Sequence, residues 1–228
     1  MKIPLFDIDS TLIEGGNKAH ADAHTYAMQT VYNQPTAFKN EIKTDGMIDT
    51  QIIVEVLKLH GMSEEEIKAK MPEAMQAMDT YFTAHEHEGK SVILPGVVEL
   101  LTDLKNKGVP MGLLTGNTEA IAWGKLALVG LKDFFSFGAF GSSAYKRVDL
   151  ISVAVERAKE KGIHAPREDF VIVGDSPLDV ACAKAGGIQV IAVGAGNFSA
   201  EELKDVGADL VIETFNEKGK VINFLQAS

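Results

Sequence analysis

Two carboxylates two positions apart, Asp7 and Asp9, follow the short apolar run Ile3-Pro4-Leu5-Phe6 and precede two hydroxyls, Ser10 and Thr11. Alternate side chains of an extended segment point to the same side, so both acids can face one pocket. Carboxylates so close repel each other unless a cation or a shared proton relieves them. The pattern suits a metal-assisted nucleophile paired with a general acid. Other apolar runs end in polar residues too: Leu113-Leu114 in Thr115-Gly116-Asn117, and Val171-Ile172-Val173 in Gly174-Asp175-Ser176-Pro177-Leu178-Asp179. Between them, just ahead of a predicted helix, lie Lys146 and Arg147.

The elements that must position these residues are strands and helices in alternation. Strands are predicted at Ile3–Phe6, Val109–Leu114, within Phe134–Phe140, at Phe170–Val173, Ile188–Val193 and Leu210–Ile212. Helices are predicted between them: Pro95–Leu104, Glu119–Val129, Leu150–Lys161, Leu178–Ala185 and Ala200–Lys204. Such alternation implies an α/β fold, a Rossmann-like parallel sheet with helices on both faces, whose ligands bind beyond the carboxyl ends of the strands. Pro4 fits awkwardly in a central strand and is tolerable because it stands near the start. Residues 14–90 read differently, as helices without a strand. Lys18–Tyr32 is one, closed by Pro35, and Asp49–His60 a second, stopped by Gly61. Ser63 and Glu66 form a capping box that opens a third running to Phe82, with Pro72 a point of bending. The expected layout is a core of residues 1–13 and 91–228 with a helical cap at 14–90. Hinges are expected at Glu14-Gly15-Gly16 and near Gly89 to Pro95.

The chain of 228 residues carries a net charge of −10, an unfavourable balance for nucleic acid or anionic membranes. No apolar run approaches the ~18 residues of a membrane span. Cys182 is the single cysteine, so no intramolecular disulfide forms; among small residues it reads as buried packing. A cytoplasmic protein is the expectation. Monomer and homodimer both remain open.

Taken together, Asp7-Ile8-Asp9-Ser10-Thr11-Leu12 resembles the first motif of the haloacid dehalogenase-like hydrolase superfamily, Leu114-Thr115-Gly116-Asn117 the second, and Gly174 to Asp179 the fourth. The helical stretch falls between the first two motifs, as in phosphoglycolate-phosphatase-like members with a helical C1 cap. The resemblance implies a phosphatase of a small phosphorylated metabolite, such as phosphoglycolate or a sugar phosphate. Asp7 would attack phosphorus and form an aspartyl-phosphate, and Asp9 would act as acid and then base. Mg2+ would be held by Asp7, the Asp9 main-chain carbonyl and Asp175. Thr115, Gly116 and Asn117 would hold phosphoryl oxygens. The third motif departs from the usual Lys-Pro: here it is Lys146-Arg147-Val148, with Lys146 the expected cation beside Asp7 and Arg147 the substitute. Asp179 reads equally as a helix cap and as support for the metal. A phosphomutase and a non-catalytic phospho-ligand binding protein are the alternatives. A dehalogenase is disfavoured, because those members lack the second acid that Asp9 supplies.

Other candidates have plainer readings. His20 and His24 stand one turn apart, a zinc-compatible spacing, but the accompanying acid and third ligand of a zinc hydrolase are absent, so a helix-surface or core role is expected, with a substrate contact by His20 as the alternative. His85 and His87 sit in a polar linker, and Trp123, Met71, Met75 and Met78 read as packing. Gly194-Ala195-Gly196-Asn197 resembles a dinucleotide loop only faintly and is set aside.

Overall fold

The structure, a computed structural model, describes residues 1–15, 17–35, 41–88 and 91–227. Six parallel strands, β1 (Ile3–Phe6), β2 (Gly112–Thr115), β3 (Phe137–Phe140), β4 (Phe170–Gly174), β5 (Gln189–Val193) and β6 (Leu210–Ile212), lie in the order β3-β2-β1-β4-β5-β6. The chain builds outward from β1 on one side and then crosses to β4 on the other. The carboxyl ends of β1 and β4 thus flank the point where the winding reverses, the crevice in which such sheets bind ligands. Their near-continuous apolar sequences follow from burial on both faces. Pro4 is accommodated as expected: it is in register with Val171 of β4, and pairing with β2 begins only at Leu5.

After β1, and before the chain returns to the sheet, the described residues form helices α1 (Lys18–Tyr32), α2 (Asp49–Leu59), α3 (Glu64–Ala69) and α4 (Met71–His85). They share an apolar cluster that includes Met28, Ile53, Leu57, Met78 and Phe82, joined by Ile121 from a helix that follows the second strand. Two details differ from expectation. Helix α1 is capped by Asn33, whose N–H donates to Gln29 O (3.1 Å) and whose left-handed conformation (φ 57°) turns the Gln34 N–H back onto Met28 O (3.1 Å), before Pro35 is reached. The third helix does not bend at Pro72 but breaks there: Pro72 sits in the first turn of α4, where a missing N–H costs no hydrogen bond, and α3 stops at Ala69. Ser63 and Glu66 do form their capping box. The chain leaves the sheet side by side with its return: Glu14 N–H donates to Val92 O (2.8 Å) and Leu94 N–H to Leu12 O (3.0 Å). Gly16 and Gly89, named for the hinges, lie outside the described residues.

Helices α5 (Val97–Asn106), α6 (Glu119–Leu128), α7 (Asp149–Glu160), α8 (Pro177–Gly186), α9 (Ala200–Asp205) and α10 (Lys218–Gln226) cover the sheet. One apolar cluster, around Phe6, Leu113, Val173 and Leu101, fills one face. A second, around Leu5, Ile172, Ile151 and Val190, fills the other. Helix α10 was not foreseen; it buries Val221 and Leu225, with Ile222 and Phe224 partly buried beside them.

Candidate active site

Asp7 is the first residue past β1, and its two oxygens are committed separately. Oδ1 accepts the Ile8 N–H at 2.7 Å, and Oδ2 accepts Arg147 Nη2 at 2.9 Å. Burial pushes its carboxyl up to about 6 against the pull of Arg147. Past β4, Asp175 accepts the Thr11 hydroxyl at 2.9 Å. Burial and the neighbouring charges of Asp179 and Asp7 push it up to about 8. One oxygen from each of Asp7, Asp175 and Asp179 lies within 4.8 Å of the other two.

Asp179 stands at the third position of α8 and closes a capping box with Ser176, whose N–H (3.1 Å) and hydroxyl (2.6 Å) both donate to Oδ2. Its Oδ1 takes Arg147 at 2.5 Å. The cap reading of Asp179 therefore holds and a second task, its bond to Arg147, is added, while Asp7, Asp175 and Asp179 together form the acidic group that could hold a cation. The donor set is all oxygen, the hard ligand type that magnesium prefers. Asp175 is raised first by its burial and then by the charges of Asp179 and Asp7, and a bound cation would oppose both.

The cation expected beside Asp7 is a correction. Lys146 is exposed, and Arg147 is buried between Asp7 and Asp179. Adjacent residues ahead of α7 point in different directions, and only the planar, forked guanidinium can serve two carboxylates and, through Nη1, the Gly46 carbonyl at 3.0 Å.

The turn after β2 supplies the opposite wall. Thr115 is fully buried; its hydroxyl takes the Asn117 side-chain N–H at 2.7 Å. Gly116 and Asn117 line the cavity directly. Asn117 also donates to Asp9 Oδ2 at 2.9 Å.

Asp9 has a partner that the sequence did not single out. Lys125 of α6, with no exposed side chain, places Nζ 2.8 and 2.6 Å from the two Asp9 oxygens. Burial would raise the Asp9 carboxyl, but the Lys125 ammonium outweighs it, with the Asn117 side-chain N–H, and holds it below the usual range. The available signal was a lysine at the buried phase of α6, in line with Ile121, Ala122 and Leu126.

Residues 41–50, leading into and opening α2, cover the site. Asp49 N–H donates to Gly116 O (2.9 Å), Thr50 Oγ1 to Ala144 O (2.6 Å) and Asn197 Nδ2 to Asp45 Oδ1 (2.5 Å). Together these walls enclose a cavity of about 450 Å³, with Asp7, Asp9, Arg147 and Asp175 on one side and His20, Ile42, Lys43 and Met47 on the other. The loop after β5, discounted on its sequence, belongs here: a Cβ on Gly196 would overlap Asp175 Oδ2, so glycine lets the backbone close over that acid. His85 is away from the cavity, stacked on Tyr81, and His87 is exposed. Cys182, Met71, Met75 and Met78 are buried as expected, and Trp123 packs edge-on against Phe140.

Residues 4–193 match the family described as haloacid dehalogenase-like hydrolase. The chain belongs to the haloacid dehalogenase-like hydrolases. This hydrolase is 31% identical over 156 residues to a phosphoglycolate phosphatase of Rhodospirillum rubrum, covering 67% of its own length and 64% of that protein. It is 25% identical over 221 residues to phosphoglycolate phosphatase 1 of Pseudomonas aeruginosa, covering 95% and 78%. Its fold is similar to a hydrolase from Pseudomonas syringae (TM-score 0.71, 21% identity, 100% of both chains). It is also similar to CbbY from Rhodobacter sphaeroides in complex with phosphate (TM-score 0.69, 21% identity, 96% of both). Family and relatives together make the hydrolase a phosphatase. Among its described residues, no helix is long and apolar enough to cross a membrane.

Proposed function

We propose that this enzyme is a magnesium-dependent phosphatase of a small phosphomonoester, phosphoglycolate or a sugar phosphate, and that it works through an aspartyl-phosphate on Asp7. The observation that carries the reading is the setting of Asp7: fixed by Ile8 and Arg147, within 4.8 Å of Asp175, and opening on the same cavity as Asp9. A volume of about 450 Å³ is near the lower end for ligand pockets and suits a small metabolite. The names of the phosphoglycolate phosphatases support the substrate.

Magnesium bound by Asp7, Asp175 and the Asp9 main-chain carbonyl would offset the negative phosphoryl oxygens that repel an attacking carboxylate. Asp7 attacks phosphorus, and the bond to the leaving oxygen breaks. Arg147 anchors Asp7 and faces the same oxygens. The main-chain amides of Gly116 and Asn117 receive the phosphoryl group, with Thr115 as the buried post that holds their turn in place. Asp9, ionised beside Lys125 in the free enzyme, would take up a proton as the substrate binds and give it to the leaving oxygen, then remove one from the water that hydrolyses the aspartyl-phosphate. The helical insertion, residues 14–90, acts as a cap that excludes water and selects the substrate.

Phosphate release from a panel of phosphorylated metabolites, with magnesium, tests this. The reading expects turnover that is abolished in Asp7→Asn. Turnover that persists in Asp7→Asn would exclude it, and transfer to a second hydroxyl without free phosphate would favour a phosphomutase.

A further inference from the structure

We propose that His20 of α1 and Asp49, the first residue of α2, are positioning residues for proton transfer: acting through Lys125, they orient Asp9 when the helical insertion is seated on the core. The inference rests on the reading of Asp9 as the acid and base. Lys125 Nζ has three hydrogens and three kinds of acceptor around it: the Asp9 carboxylate, Asn117 Oδ1 at 2.7 Å and His20 Nδ1 at 3.0 Å. An ammonium only donates, so His20 Nδ1 must accept, and the ring's hydrogen sits on Nε2. Nε2 lies 3.1 Å from both Asp49 oxygens and donates to them. Asp49 is in turn fixed by the Thr118 N–H at 2.8 Å. The line Asp49–His20–Lys125–Asp9 thus runs from the insertion to the acid, with each donor assigned.

The same assignment disposes of a rival. His20, His24 and Asp49 present ligand atoms within 4.8 Å of one another, the third ligand that the sequence did not mark. A ring that accepts from Lys125 at Nδ1 has no lone pair at Nε2 for a metal. Burial also holds His20 below its usual range, with Lys125 acting the same way and Asp49 opposing, so the neutral ring fits the chain. His24 supports it from behind, with Nδ1 on the His20 carbonyl at 3.1 Å and Nε2 3.2 Å from Asp49 Oδ1. Stability alone would be served as well by apolar residues here as by so many buried ionisable groups. Two elements of the insertion and one of the core converge on Asp9, and this is the arrangement expected if seating the insertion completes the acid.

The test compares two substrates of the full-length enzyme with magnesium. Glycerol 3-phosphate has a poor alkoxide leaving group and needs the proton; p-nitrophenyl phosphate does not. His20→Ala and Asp49→Asn are expected to lower the ratio of kcat on the alkyl ester to kcat on the aryl ester about 100-fold, with KM much less affected. His20→Gln, whose amide can accept from Lys125 and donate to Asp49, is expected to recover most of the ratio. An unchanged ratio in His20→Ala and Asp49→Asn, whether both rates fall together or neither falls, would overturn the proposal while leaving the phosphatase reading intact. Failure of the wild-type enzyme on both esters would remove the reading of Asp9 and the inference with it. Should His20→Ala unfold, Asp49→Asn decides the question from the other end of the line.

Discussion

Removing the Arg147 guanidinium by Arg147→Met should destabilise the metal-free enzyme severely and in a way that magnesium partly repairs. Arg147 is 6% exposed and bonds Asp7 at 2.9 Å, Asp179 at 2.5 Å and the Gly46 carbonyl at 3.0 Å. Methionine fills much of the volume, so the loss is chiefly electrostatic: Asp7, Asp175 and Asp179 are left facing one another. Stranding a buried charge by deleting its partner costs about 3–5 kcal/mol. At about 2–4 °C per kcal/mol for a chain of this size, the melting midpoint should fall by about 6–20 °C. Arg147→Lys keeps the charge but cannot reach both acids and Gly46 at once, and should fall by less. The assay is thermal and urea unfolding with and without magnesium. Because a ligand that binds only the folded chain stabilises it by mass action, magnesium should raise the variant toward the wild type. A variant within about 1 kcal/mol of wild type, indifferent to magnesium, would refute the claim that Arg147 holds this carboxylate cluster together.

Other outcomes are equally specific. Lys146→Ala, at an exposed position, should leave stability within about 0.5 kcal/mol and turnover close to wild type. Gly116→Ala would thrust a Cβ into the Met47 carbonyl of the insertion; a displacement of about 1 Å at this point should lower kcat/KM by about 100-fold, read by steady-state kinetics. Asp175, pushed up to about 8, keeps a proton in the folded chain that the unfolded chain releases, so this group's contribution to stability falls as pH rises toward 8. His20, lowered in the fold, works the opposite way but only below about 6.5, so the unfolding free energy of the metal-free enzyme should drop between about pH 6.5 and 8, by about 1.5 kcal/mol, read by urea unfolding. Magnesium should flatten that slope and release protons on binding, which calorimetry in buffers of different ionisation enthalpy measures.

The strand-borne part of the site was legible because buried parallel strands are short apolar runs, and a polar residue that ends one is conspicuous. Asp7, Asp9, Thr115 and Asp175 all announced themselves so. The helix-borne part was not. Asp49 reads as an ordinary acid opening a helix, His20 as a helix-surface histidine, and Lys125 as one charge among apolar neighbours, because local rules account for each of them. Only the packing of α1 and α2 against α6 brings them together. The choice between Lys146 and Arg147 was hidden for a different reason: neighbours in a loop diverge, and no periodicity says which one turns inward. Gly196 and Asn197 were passed over because their role depends on β5 lying next to β4, a fact of sheet order rather than of spacing. The break at Pro72 was a matter of degree, since proline in a first turn starts a helix and proline further along bends one.

The central claim is that Asp7 carries the phosphoryl group. Quenching the enzyme during turnover and reducing it with borohydride converts an aspartyl-phosphate to homoserine, which mass spectrometry of the peptide holding residues 3–12 detects. The account predicts homoserine at Asp7, at no other acid, and only when substrate is present. Steady phosphate release with Asp7 unmodified, or homoserine at Asp9 or Asp175 instead, would contradict it.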